Sequence, residues 1–193
     1  MSNLTKKALL ASFGALIEKT PFDKITVSAL TAKCGLNRMT FYYHFQDIYE
    51  LLIWGLKTQV LEAVNHDCIT YANWKNGYLS LFYFALQQKT YITKIFQTMK
   101  QEHLEHYLNQ IAEDMVVAVI DDKCKDQVIC DADKHFTAQV CAHVLVGTLL
   151  NWVNNDMKDP PEIVIKRVGC LLDGMIDKTI NGFEPSKDAV PEV

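Results

Sequence analysis

The residues best placed to do chemistry lie in one short stretch, TVSALTAKCGLNRMTFYYHF at positions 26–45. The outer face of its second half carries Arg38, Met39, Thr40, Tyr43 and His44, with Tyr42 to one side. A guanidinium can bond bidentately to guanine, a threonine hydroxyl to a base edge or a phosphate, and tyrosine and histidine to phosphate. That is recognition chemistry, not bond making. Spacing alone leaves a second reading open, an ordinary helical hairpin with a polar outside.

Other constellations carry less. Glu102-His103-Leu104-Glu105-His106 puts His103 and His106 three apart on a helix. The His-Glu-x-x-His order of zinc peptidases is absent, so a solvated face is expected and no metal. Asp121, Asp122, Asp126, Asp131 and Asp133 read as an acidic loop, because the central glycine of a calcium loop is missing. Cys34, Cys68, Cys124, Cys130, Cys141 and Cys170 form no Cys-x-x-Cys pair. Free, mostly buried thiols in a reducing compartment are the simpler expectation. No Gly-x-Ser-x-Gly, P-loop or dinucleotide fingerprint occurs. Neither enzyme activity nor a cofactor is expected.

A helix-turn-helix must hold the recognition face. Thr26 is a good N-cap for a helix to Lys33, and Asn37 for one from Arg38 to Phe45. Gly35 between them permits the positive φ of a tight turn. Val27, Leu30, Leu36, Phe41 and Phe45 supply the inner face. The second helix is too short to stand alone, so its neighbours must hold it. Before it, Leu9, Phe13, Leu16 and Ile17 mark a helix over 4–19, broken at Thr20-Pro21. After it, Asp47-x-x-Glu50 has the form of a capping box opening a helix over 48–66. Further helices are expected at 71–87, 90–99, 101–121, 133–156 and 161–181, the last started by Pro161. The tail from Gly182 reads as loose.

Composition sets the frame. The chain has 193 residues, 49% hydrophobic and 22% charged, enough for a real core without staples. Its net charge is −4, which argues against a histone-like coat of positive charge. The first 50 residues are nonetheless slightly basic: Lys6, Lys7, Lys19, Lys24, Lys33 and Arg38 face Glu18, Asp23, Asp47 and Glu50. A basic head on an acidic body suits a local polyanion-facing surface. No signal-peptide pattern opens the chain. The apolar runs at 78–86 and 140–153 fall short of the ~20 residues that span a bilayer. The expectation is a cytoplasmic protein with no membrane partner.

The segment FDKITVSALTAKCGLNRMTFYYHFQDIYELL resembles the DNA-binding domain of the TetR family of bacterial regulators. The family signature runs Ser-Arg-Gly-Thr-Phe/Leu-Tyr-x-x-Phe. Here Asn37-Arg38-Met39-Thr40-Phe41-Tyr42-Tyr43-His44-Phe45 stands in its place. The match covers about a quarter of the chain. It implies an all-α fold: a three-helix helix-turn-helix DNA-binding domain over 1–46, a helical dimerisation and effector domain over 47–182, and a flexible tail over 183–193. It also implies a homodimer on a near-palindromic double-stranded operator. The DNA-binding set carried over by position is Thr26, Ser28, Asn37, Arg38, Met39, Thr40, Tyr42, Tyr43 and His44. Arg38, Met39 and Thr40 would face the major groove. Tyr42, Thr26 and Ser28 would touch phosphate. Met39 replaces a common glycine and adds an apolar probe suited to a thymine methyl. Ile48 replaces a lysine often found there, which removes one cationic phosphate contact.

In the same family the last two helices form the dimer interface. The resemblance therefore assigns that role to Val140, Val144, Leu149, Trp152, Val168, Leu171 and Met175, with a purely internal core as the other reading. Trp74, Tyr78, Phe82, Tyr91 and Phe96 are either core or the lining of a small-molecule effector pocket. The runs YLSLFYFALQQKTYITKIF and NWVNNDMKDPPEIVIKRVGCLL are similar to a subgroup that regulates dihydroxyacetone kinase operons. That subgroup resemblance implies an activator answering to a protein coactivator. The alternative is a repressor released by a small molecule.

Overall fold

The structure is a computed structural model that describes residues 2–64, 69–98, 101–125 and 130–182. Among these, all regular structure is helical. The elements are α1 (Ser2–Ile17), a 3-10 turn (Phe22–Lys24), α2 (Val27–Lys33), α3 (Arg38–His44) and α4 (Ile48–Val64). They continue with α5 (Trp74–Gln87), α6 (Lys89–Thr98), α7 (Gln101–Lys123), α8 (Asp131–Asn154) and α9 (Pro161–Gly182). The expected tail lies outside the described residues.

The chain forms two compact units. The first comprises residues 1–62 and 84–107, the second 63–83 and 108–193. This partition differs from a cut at 46, because α4 and α6 pack with the helix-turn-helix and not apart from it.

In the first unit, the expected stripe on α1 is the core. Leu9 and Phe13 are fully buried and Ile17 nearly so. Phe13 meets Phe22 edge-on at 5.9 Å, and Phe22 meets Tyr49 at 4.7 Å. Helix α4 comes close to α1 at Gly55, where a Cβ would collide with the Leu10 side chain. The Lys94 ammonium of α6 donates to the backbone carbonyls of Ile17 and Glu18, closing the otherwise open C-terminal end of α1. Glu50 N–H donates to Asp47 at 2.8 Å, one half of the expected capping box. The Glu50 carboxylate accepts from Gln46 N–H instead of Asp47 N–H, so the reciprocal bond falls one residue early.

In the second unit, α8 and α9 pack together, and the Phe82 ring of α5 meets Trp152 of α8 at 4.5 Å, tilted by 44°. Ion pairs tie its surface: Lys75 with Asp173, and Lys123 with Asp177. The expected acidic loop is shorter than its five aspartates suggested. Asp121 and Asp122 finish α7, while Asp131 and Asp133 occupy the first turn of α8, where acidic side chains suit the helix dipole. Asp126 lies outside the described residues. Helix α8 is also longer than its apolar run. It passes for a membrane-crossing helix by length and composition, yet half of the window concerned is buried inside the protein.

Candidate nucleic-acid interface

The interface is built by two short helices of seven residues each and the turn between them. Thr26 caps α2, its hydroxyl oxygen accepting from Ala29 N–H at 3.1 Å. Asn37 caps α3, its side-chain oxygen accepting from Thr40 N–H at 2.8 Å and from the Thr40 hydroxyl at 3.0 Å. Gly35 sits between them at φ +69, in the left-handed region. Leu36 N–H then returns to Thr31 C=O at 2.9 Å, which closes the turn. Leu30, Phe41 and Phe45 are buried beneath; Val27 and Leu36 are half-buried.

Every member of the expected DNA-binding set reaches the surface. Thr26, Ser28, Asn37, Arg38, Met39, Tyr42 and Tyr43 are exposed, and Thr40 and His44 are half-buried. Met39 is 78% exposed and Tyr43 84%, which is unusual for side chains of that size and apolarity. Arg38 lies along the helix toward Tyr42, its guanidinium 5.9 Å from the ring and one N–H donating to the Tyr42 hydroxyl at 3.4 Å. Phe41 holds that ring edge-on from below at 5.5 Å. The Thr40 hydroxyl proton is committed to Asn37, so Thr40 offers its oxygen lone pairs outward. The sequence reading missed Lys6. Its ammonium lies 5.3 Å from the Phe45 ring and 5.5 Å from Trp54, placing a cation at the end of α3. Only its membership of the basic head signalled it.

The residues expected at a dimer face divide. Leu171 is 64% exposed, and Val140, Val144 and Met175 are half-buried. Leu149, Trp152 and Val168 instead turn into the second unit's own interior. Trp152 is held there by its tilted contact with the Phe82 ring and by its indole N–H, which donates to Asp159 C=O at 2.8 Å. Among the described residues, the exposed large apolar side chains on these helices are Phe136, Ile163 and Leu171.

The expected effector residues divide between the two units. Trp74, Tyr78 and Phe82 are buried in the second unit; Tyr91 and Phe96 belong to the first. Tyr78 donates to Leu145 C=O at 2.7 Å, and burial pushes its hydroxyl pKa far up. Those rings are closed core, with the Trp74 indole N–H left unpaired. Tyr91 by contrast lines an open cleft. His106 is exposed, and the side chains of Glu102 and His103 lie outside the described residues. Among the described residues no cluster of three or more His, Cys, Asp or Glu could hold a metal ion.

With this geometry, comparison with known proteins is informative. Residues 7–53 match the family described as bacterial regulatory proteins, tetR family. Residues 72–174 match the transcriptional regulator C-terminal region of the TetR type. The HTH-type dhaKLM operon transcriptional activator DhaS of Lactococcus lactis subsp. lactis (strain IL1403) is 30% identical over 148 residues, 73% of this chain and 78% of that one. The uncharacterized HTH-type transcriptional regulator YxbF of Bacillus subtilis (strain 168) is 25% identical over 177 residues, 88% of this chain but 44% of that one. This chain therefore spans less than half the length of YxbF. A solved structure of the dihydroxyacetone kinase operon activator DhaS superposes with a TM-score of 0.68 at 25% identity, covering 90% of this chain and 96% of that one. NalD, the secondary repressor of the MexAB-OprM multidrug efflux pump in Pseudomonas aeruginosa, gives 0.58 at 15% identity over 95% of this chain and 100% of its own, a likeness of fold alone. Sequence and fold agree: the chain belongs to the TetR family of DNA-binding transcriptional regulators, not to an enzyme family.

Proposed function

We propose that the chain acts in the cytoplasm as a homodimer on a near-palindromic double-stranded DNA operator, reading it with α3 of each protomer. The observation that carries this reading is the α3 surface. Phe41 anchors it from below, while Arg38, Met39, Tyr42 and Tyr43 stand exposed. The exposed apolar side chains Phe136, Ile163 and Leu171 on α8 and α9 support self-association. The relative named as a dhaKLM operon activator supports an activator of a dihydroxyacetone kinase operon. The filled aromatic core around Tyr78 and Phe82 supports a signal from a protein coactivator over a ligand lodged there.

A second reading, a repressor released by a small molecule, is favoured by the open cleft beside Tyr91. The primary test is a gel shift with the DNA flanking the chain's own gene, set against unrelated DNA at one stated salt concentration. Selective binding by the wild type, lost in Tyr42→Ala, is the expected result. Equal binding to both DNAs would overturn sequence-specific reading by α3.

A further inference from the structure

Helix α3 has seven residues, about 10 Å at 1.5 Å per residue. The major groove it would enter is about 12 Å wide, so both ends of α3 come near the phosphates that edge the groove. On the α2 side the exposed Thr26 and Ser28 offer hydroxyls. On the other side the start of α4 brings charge of the wrong sign. Asp47 and Glu50 stand there, both accepting from backbone N–H groups, and Ile48 between them carries no charge. A phosphate at that end needs a cation from elsewhere in the unit.

Lys6 of α1 is such a cation. Its ammonium lies 5.3 Å from the ring of Phe45, the C-cap residue of α3, and 5.5 Å from the ring of Trp54 on α4. Phe45 is buried, so the platform under the ammonium is fixed core and not another mobile side chain. Aromatic faces attract an ammonium without taking its N–H protons. All three Lys6 donors stay without a carboxylate or hydrogen-bond partner among the described residues. Other lysines of the same unit are committed. Lys7 pairs with Glu62 at 3.4 Å, and Lys94 donates to the carbonyls of Ile17 and Glu18.

We propose that Lys6 is a phosphate-binding residue of the DNA interface, presented by Phe45 and Trp54 to the strand that passes the C-terminal end of α3. Such a contact fixes register and releases counterions but reads no base. It rests on the operator reading and deepens it, because the cation comes from α1, outside the helix-turn-helix.

The full chain is titrated by fluorescence anisotropy against the duplex selected by gel shift and an unrelated duplex of equal length, over a series of salt concentrations. Wild type, Lys6→Met, Lys6→Arg and Lys7→Met are compared. Methionine keeps an apolar stem against the rings and removes the charge; if that variant does not fold, Lys6→Gln serves. Lys6→Met should weaken both duplexes by the same factor, at least fivefold at the lowest salt. It should also lower the slope of log affinity against log salt by about two per dimer, one for each protomer. Lys6→Arg and Lys7→Met should keep the wild-type slope. A purely structural ammonium would lower the thermal midpoint in Lys6→Met and leave the slope in place. An unchanged slope in Lys6→Met, an equal fall in Lys7→Met, or a loss confined to the selected duplex would each overturn the assignment. Failure of the operator reading looks different: wild type would bind both duplexes equally, and the Lys6 dependence of the slope would still be read on the unrelated one.

Discussion

At the scale of single residues, the proposed reading gives α3 two kinds of reader. Arg38 would be the polar one; Tyr42 holds it along the helix, which reduces what it must give up on binding. Met39 would be the apolar one, a flexible thioether 78% exposed in a first helical turn and suited to a base methyl. Replacing the operator thymines with deoxyuridine one at a time should identify a position where wild-type affinity drops several-fold. Met39→Ala should show no drop there. A wild type indifferent to every uracil, or a Met39→Ala protein that keeps the sensitivity, would remove Met39 from base reading. Arg38→Ala should cost about 1–3 kcal/mol and relax specificity at one base pair. The exposure of this face was legible from side-chain chemistry and spacing. Lys6 and the commitment of the Thr40 hydroxyl to Asn37 were not, because both depend on where neighbouring helices and rotamers fall.

At the scale of elements, two short helices persist because their ends are closed. Asn37 and Thr26 satisfy N–H groups that seven-residue helices cannot satisfy alone, and Phe41 buries completely. Gly35 is the hinge of that arrangement. A Cβ there would meet nothing within 4 Å, so the cost of Gly35→Ala is conformational and not steric. A residue forced to φ +69 costs about 1–2 kcal/mol. Chemical denaturation should show that loss for Gly35→Ala, and about 1 kcal/mol for Asn37→Ala. A Gly35→Ala protein as stable as wild type would mean the turn relaxes to negative φ. Caps and breaks were readable because Thr, Asn, Asp, Gly and Pro act locally. The acidic segment misled for the opposite reason. Aspartates favour loops and helix first turns alike, and only tertiary packing decides between them.

At the scale of the whole molecule, the family assignment rests on both halves of the chain, while the expected division at residue 46 does not describe its compact units. Helices α4 and α6 belong with the recognition helices, which a motif of contiguous residues cannot reveal. Periodicity on α8 and α9 showed two apolar helices but not which stripe faced inward. Leu149, Trp152 and Val168 took the interior, leaving Phe136, Ile163 and Leu171 outside. Those exposed side chains are where self-association is expected. Phe136→Glu with Leu171→Glu should yield a monomer by light scattering, with circular dichroism unchanged and operator affinity reduced at least tenfold. A dimer that survives the double substitution would place the interface elsewhere.

The central claim, that two copies of α3 read one near-palindromic site, is tested most directly by a hydroxyl-radical footprint on the DNA selected by gel shift. Two protected stretches about 10 base pairs apart, centre to centre, or a multiple of that spacing, are predicted, both lost in Arg38→Ala. A single protected stretch, or a footprint that persists unchanged in Arg38→Ala, would contradict it.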